Sequence, residues 1–185
     1  MNSAFDEVSA APARLSNVYL EKRGITPATL KALGVEIDAK PTLERFSERL
    51  AFDSWSGQPL TELVNEAIWF PCRYALGNIV SWTVRVFPEL NGAKFLTPKN
   101  AEPFPLIPPE TREGKDKTHK PVIITEGPVK ALALLQAGAL PIGLGGVWMA
   151  TRKAENGPVE LTPDGGSSVC NVLCDPHDRA TRLAL

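Results

Sequence analysis

No apolar run in the chain's 185 residues is long enough to cross a bilayer. The amino-terminal stretch "MNSAFDEVSAAPARL" lacks the charged start and apolar block of an export signal. Charge of one sign is not in excess either: 20 Lys and Arg stand against 21 Asp and Glu, a net charge of −1. Any nucleic-acid or phosphate contact must therefore come from a local cluster rather than a global basic field. Cysteine is scarce. Cys72, Cys170 and Cys174 form no CxxC pair, and an odd count without an export signal implies reduced thiols and a cytoplasmic protein. Cys170, Cys174 and His177 lie close together, with Cys72 or His119 as a fourth zinc ligand, but the paired spacing of a zinc site is missing. A dinucleotide fingerprint is absent too, because Trp148 stands where the third glycine after Gly143 and Gly145 belongs.

What is present is an ordinary apolar fraction of 43%, enough for a real core, and proline concentrated between residues 98 and 121. "APARLSNVYLEKRG" places Leu15, Val18 and Tyr19 at helical spacing and stops at Gly24. In "ITPATLKALGV", Thr26 is a cap, Pro27 suits the first helical position and Gly34 suits the end. Two short helices follow, either a hairpin packing on a larger domain or a DNA-reading helix-turn-helix. Residues 40–66 carry no clear period. "AIWFPCRYA", "NIVSWTVRVF" and "AKFLTP", joined by turns at "LGN" and Asn91-Gly92, predict an antiparallel meander. Val80, Val84 and Val86 with Trp82 form its apolar face; the polar face carries Ser81, Thr83 and Arg85, with Lys94 on the next strand. "PKNAEPFPLIPPETREGKDKTHKP" reads as a loop with a charged tip.

The pattern then changes. "VIIT" is a β-branched run of the kind buried on both faces. "PVKALALLQAG" is a helix ending at Gly138, and "LPIGLGG" is a second strand. Strand, helix and strand with short joints make a βαβ unit and a parallel sheet. The expected fold class is α/β: an α+β amino-terminal part with an antiparallel meander, then a partial parallel sheet.

Glu126 stands at the carboxyl end of the first of those strands, where open parallel sheets bind ligands. Gly127 lets the backbone turn and a ligand approach, and the helix start offers amides to a phosphate. The carboxylate suits a divalent metal or general-base work; equally, it caps the helix or pairs with Lys130 one turn on. Asp175 and Asp178 in "CNVLCDPHD" follow another apolar strand, so three acids at strand ends are a candidate magnesium site; a polar Asp-Pro turn is the plain alternative.

"VIITEGPVKALALLQAG" followed by "PIGLGG" resembles the first half of a Toprim domain, above all the Toprim-like domains of phage and plasmid replication proteins. "AIWFPCRYALGNIVSWTVRVF" with "AKFLTP", and "YLEKRGITPATLKALGV" before them, resemble the part of bacterial primase cores that precedes Toprim. The likeness covers most of residues 14–148. It implies a helical segment at 1–39, an antiparallel primase-core-like region at 40–100, a linker at 101–120 and an incomplete Toprim-like domain at 121–185. It implies Glu126 as catalytic acid and metal ligand with Asp175 and Asp178, Gly127 and Lys130 as cofactor contacts, and Arg85 and Lys94 as nucleic-acid contacts. The family places its two aspartates at alternate positions, whereas "DPHD" sets them three apart. The implied activity is RNA primer synthesis on single-stranded DNA from nucleoside triphosphates, with Mg2+ or Mn2+ and a replicative helicase on the same or a separate chain, and no membrane. A non-catalytic Toprim module and a Toprim nuclease are the alternatives.

Overall fold

The structure, a computed structural model, describes residues 14–73, 77–99, 105–114 and 120–145, and the backbone of two further strands, β9 (Thr151–Lys153) and β10 (Val159–Leu161). Helices α1 (Leu15–Glu21) and α2 (Pro27–Leu33) form the expected hairpin. The Thr26 side chain accepts from the Thr29 amide at 3.3 Å, Pro27 opens the helix, and Gly34 closes it in the left-handed region at φ +68°. Leu20, Ile25, Leu30 and Leu33 enter one core with Ile68, Phe70, Val129 and Leu132. The hairpin is thus a packing element, and its apolar stripe joins the amino-terminal helices to the βαβ unit.

Residues 36–66, largely without a readable period, hold β1 (Glu36–Asp38), α3 (Leu43–Leu50), the hairpin β2 (Ser54–Trp55) and β3 (Gln58–Pro59), and α4 (Leu60–Leu63). Elements of two to four residues are too short for periodicity to reveal. The meander follows as β4 (Glu66–Arg73), β5 (Ile79–Leu90) and β6 (Ala93–Leu96), in an antiparallel sheet of order β1-β4-β5-β6. Asn91 and Gly92, at φ +49° and +85°, make the tight turn between β5 and β6.

The sheet departs from the expected single apolar face. Val84, Val86, Ala67 and Trp69 pack on Phe46, Leu50 and Leu60, while Ile68 and Phe70 pack on the opposite side with the α1–α2 hairpin and α6. The residues of the expected polar face, Ser81, Thr83 and Arg85, are buried. The cause is β4, whose Ile68, Trp69 and Phe70 are apolar in both directions and require cover on both.

The proline-rich stretch differs from a loop as well. Leu106 bridges to Gly143 through two backbone hydrogen bonds of 2.8 and 2.9 Å, and α5 (Pro109–Gly114) follows. Thr111, fully buried, donates its hydroxyl to the Pro141 carbonyl at 2.9 Å. Pro109 begins the helix, a position that needs no amide hydrogen. The charged tip at 115–119 lies outside the described residues.

β7 (Val122–Thr125), α6 (Pro128–Gln136) and β8 (Leu140–Gly143) form the expected parallel unit, with Thr125 opposite Gly143. Contrary to the expectation of burial on both faces, Val122 and Ile124 are 39% and 56% exposed. Among the described residues β7 pairs only with β8, so one edge of the strand is open as well. β9 and β10 pair antiparallel, where no strands were expected.

Candidate functional site

A cleft of about 480 Å³ opens between the end of α1, strand β6 and the turn from β7 into α6. Tyr19 and Arg23 form one wall, Phe95 contributes from β6, and Glu126, Gly127 and Lys130 form the other side. The four-residue spacing brings Arg23 back over Tyr19: its guanidinium carbon lies 3.7 Å from the ring centroid, and Nη1 donates to the Tyr19 carbonyl at 3.1 Å. The cleft wall is therefore a cation stacked on an aromatic ring.

Glu126 leaves the carboxyl end of β7 and forms an exposed ion pair with Lys130. Among the described residues no side-chain cap bond closes the start of α6, and Glu126 is found paired with Lys130. Pro128 has no amide hydrogen, and helix geometry leaves the next first-turn amides for an outside acceptor. An ion pair between two exposed side chains contributes little, so the carboxylate is held loosely and can accept another cation. Gly127 has extended backbone at φ −157°, which any residue adopts. Its missing side chain serves only to leave open space beside Glu126. The glycine that permits close approach is Gly143, where an added Cβ would lie 3.0 Å from the Ala131 Cβ and 3.1 Å from the Pro128 Cα.

Arg85 and Lys94 have unequal positions. Arg85 is only 6% exposed. Its Nη1 donates to the Lys94 carbonyl at 3.0 Å and its Nη2 to Glu89 Oε1 at 2.9 Å. The rings of Phe87, Tyr19 and Phe95 surround its guanidinium at 4.8, 5.2 and 5.7 Å. Arg85 thus supports the aromatic wall of the cleft from behind. Lys94 is exposed and lies outside the lining of the cleft.

The expected residues Glu126, Gly127 and Lys130 come together; Asp175 and Asp178, with Cys170, Cys174, His177 and His119, lie outside the described residues. Among the described residues no group of three or more His, Cys, Asp or Glu forms a metal cage. Glu126 still suits a magnesium ion as one hard oxygen donor, because that ion keeps several waters and takes one or two carboxylates beside phosphate oxygens. Cys72 does not suit zinc: it is buried on β4 with its Sγ 3.7 Å from Thr83 Oγ1, and burial pushes its thiol up to about 11. Sequence reasoning missed Tyr19, Arg23 and Phe95 as site residues. The i, i+4 spacing of Tyr19 and Arg23 is visible in the sequence, but the helical period alone places Tyr19 on the apolar stripe.

Residues 114–165 match a family described only as a domain of unknown function, DUF3854. No curated protein matches the chain. The crystal structure of the Aquifex aeolicus primase (zinc-binding and RNA polymerase domains) superposes with a TM-score of 0.51 at 14% identity, over 73% of this chain and 38% of that one. A DnaG primase catalytic domain bound to ssDNA gives 0.49 at 17% identity, over 71% and 46%. The E. coli primase catalytic core gives 0.45 at 17%, over 70% and 47%. The chain spans less than half the length of each. The likeness to the Aquifex primase establishes the fold: mixed α/β, with an antiparallel sheet followed by a parallel unit, as in primase cores.

Proposed function

We propose that the chain is a primase-like replication module that binds single-stranded DNA and nucleoside triphosphates and takes part in metal-dependent nucleotidyl transfer, the synthesis of RNA primers. The observation that carries this reading is the cleft itself, where the Tyr19–Arg23 stack faces Glu126 at the mouth of a parallel sheet. Aromatic rings and stacked guanidiniums hold unpaired bases without regard to sequence. The uncapped start of α6 and the Lys130 ammonium attract phosphate oxygens. In this reading Glu126 holds Mg2+ or Mn2+, with Asp175 and Asp178 as further ligands. When bound, the ion neutralises phosphate charge. Lys94 tracks the strand, and Arg85 keeps Tyr19 and Phe95 in place. A replicative helicase, on the same or a separate chain, and a cytoplasmic location complete the proposal.

A second reading, a single-strand-binding module without catalysis, is favoured by one observation: among the described residues Glu126 is the only acid lining the cleft, and it is paired with Lys130. Two assays separate the two. Fluorescence anisotropy with a labelled single-stranded oligonucleotide is expected to show about tenfold weaker binding for Arg23→Ala and for Phe95→Ala, since one stacked base contributes roughly 1–3 kcal/mol. Primer synthesis with magnesium and the four ribonucleoside triphosphates is expected from the wild type and not from Glu126→Gln. Binding without synthesis selects the second reading, and absence of binding by the wild type removes both.

A further inference from the structure

One acid engages both residues expected to contact nucleic acid. Glu89 lies on β5 where its pairing with β6 shifts register between Arg85 and Leu90. Its Oε1 is 2.9 Å from Arg85 Nη2 and 4.0 Å from Lys94 Nζ. A single carboxylate oxygen therefore stands between a guanidinium and an ammonium, the surroundings that a phosphate oxygen takes in protein–nucleic acid contacts.

The two sides of this contact differ in mobility. Arg85 is buried, tied through Nη1 to the Lys94 carbonyl and ringed by Phe87, Tyr19 and Phe95, so it cannot turn to follow a ligand. Glu89 is 40% exposed and Lys94 63% exposed, so both can swing away from it. Among the described residues Arg85 Nε has no hydrogen-bond partner, so Glu89 does not satisfy the whole guanidinium. An anion arriving from solvent finds the fixed cation by displacing the mobile acid.

We propose that Glu89 is a built-in competitor for phosphate: its carboxylate holds the place at the Arg85–Lys94 pair that a backbone phosphate of a bound single strand takes, and it must leave for the strand to seat. The inference rests on the single-strand-binding reading above. The exchange is one of ligands, without covalent change, and it weakens binding. It also makes the Arg85 charge dependent on an anion at all times, supplied by Glu89 when no strand is bound.

Anisotropy titrations of a labelled single-stranded oligonucleotide test it on the wild type, Glu89→Gln, Lys94→Ala and the double variant. Glu89→Gln keeps an oxygen for Arg85 Nη2 and removes the competing charge. It is expected to bind about three- to fivefold more tightly, as the loss of a partly exposed ion pair allows. The dependence of binding on salt should steepen by about one counterion. In the Lys94→Ala background the gain should shrink. Wild-type binding with no tightening in a folded Glu89→Gln overturns the inference and leaves the single-strand-binding reading standing. Absence of binding in every variant overturns both. Should Glu89→Gln not fold, Glu89→Asp keeps the charge but withdraws the oxygen by one methylene. It is then expected to bind more tightly than the wild type, and equal or weaker binding overturns the inference.

Discussion

The carboxylate of Glu66 holds the start of a helix fifty residues before it, accepting from the Ser16 hydroxyl at 2.6 Å, the Ser16 amide at 2.9 Å and the Leu15 amide at 3.0 Å. Helix α1 has no cap of its own, since Arg14 precedes it and makes no side-chain cap bond. Glu66 opens β4, so this contact fastens the helix that carries Tyr19 to the central sheet. One acid thus both caps the helix and ties it to the sheet.

Acid should therefore loosen that contact. Burial raises the Glu66 carboxyl, but the Ser16 hydroxyl and the Ser16 and Leu15 amides outweigh it and hold the group below its ordinary value of 4.5. A carboxylate depressed on folding contributes stability that is present above its unfolded pKa and lost as pH falls through the folded one. Unfolding free energies of the wild type and Glu66→Gln, from denaturant titrations, are expected to differ at neutral pH by about 1 kcal/mol, as for a helix cap. The gap should close as pH falls below the ordinary carboxylate range and through the depressed folded value. A gap unchanged with pH would count against the carboxylate as the cap.

At the other end of the hairpin, Gln136 on α6 is a clasp. Its Oε1 accepts from the Thr26 amide and the Thr29 hydroxyl, both at 2.7 Å, and its Nε2 donates to the Gly24 carbonyl at 2.7 Å. Gln136→Ala removes all three and is expected to lower stability by about 1 kcal/mol, because the freed groups are near solvent. Gln136→Glu keeps the acceptor, loses the donor and should fall between the two. Amide exchange at Thr26 reports the change directly: faster exchange in Gln136→Ala is expected, and unaltered exchange would show that the clasp is not formed in solution.

Much of this was legible in local pattern. Thr26, Pro27 and Gly34 announce α2, Asn91-Gly92 announces the β5–β6 turn, and the change from "VIIT" to "PVKALALLQ" announces the βαβ unit that puts Glu126 at a strand end. Alternation along β5 places Arg85 opposite Val84 and Val86, but it cannot tell what covers a face. The burial of Arg85 comes from Tyr19, Phe87 and Phe95, brought together from three elements. The cap by Glu66 and the clasp by Gln136 are likewise long-range and leave no trace in spacing. Pro109 opens α5, but a helix-opening proline looks the same in sequence as one that ends a helix, so the stretch around it reads as a loop.

Gly143 tests the packing beneath the site. A Cβ there would lie 3.0 Å from the Ala131 Cβ, 3.1 Å from the Pro128 Cα and 3.2 Å from the Gly127 carbonyl oxygen. Two of those three neighbours are backbone of the turn after Glu126, so α6 would have to move. Gly143→Ala is expected to be destabilised by about 1–3 kcal/mol, the range for overpacking, seen as a lower thermal midpoint. A variant as stable as the wild type would mean that β8 and α6 are farther apart than described.

Lys130 poses the sharpest question about Glu126. Its ammonium pairs with the carboxylate, and both side chains are more than half exposed. If Glu126 binds a divalent cation, Lys130 competes for the same oxygens and repels the ion. Lys130→Ala should then bind magnesium or manganese about two- to fivefold more tightly in calorimetry, the scale of an exposed ion pair. Glu126→Gln should abolish binding. If Lys130 instead serves the phosphates, Lys130→Ala leaves affinity for the metal alone unchanged and weakens binding of a nucleoside triphosphate. The opposed directions separate a lysine that restrains the acid from one that works beside it.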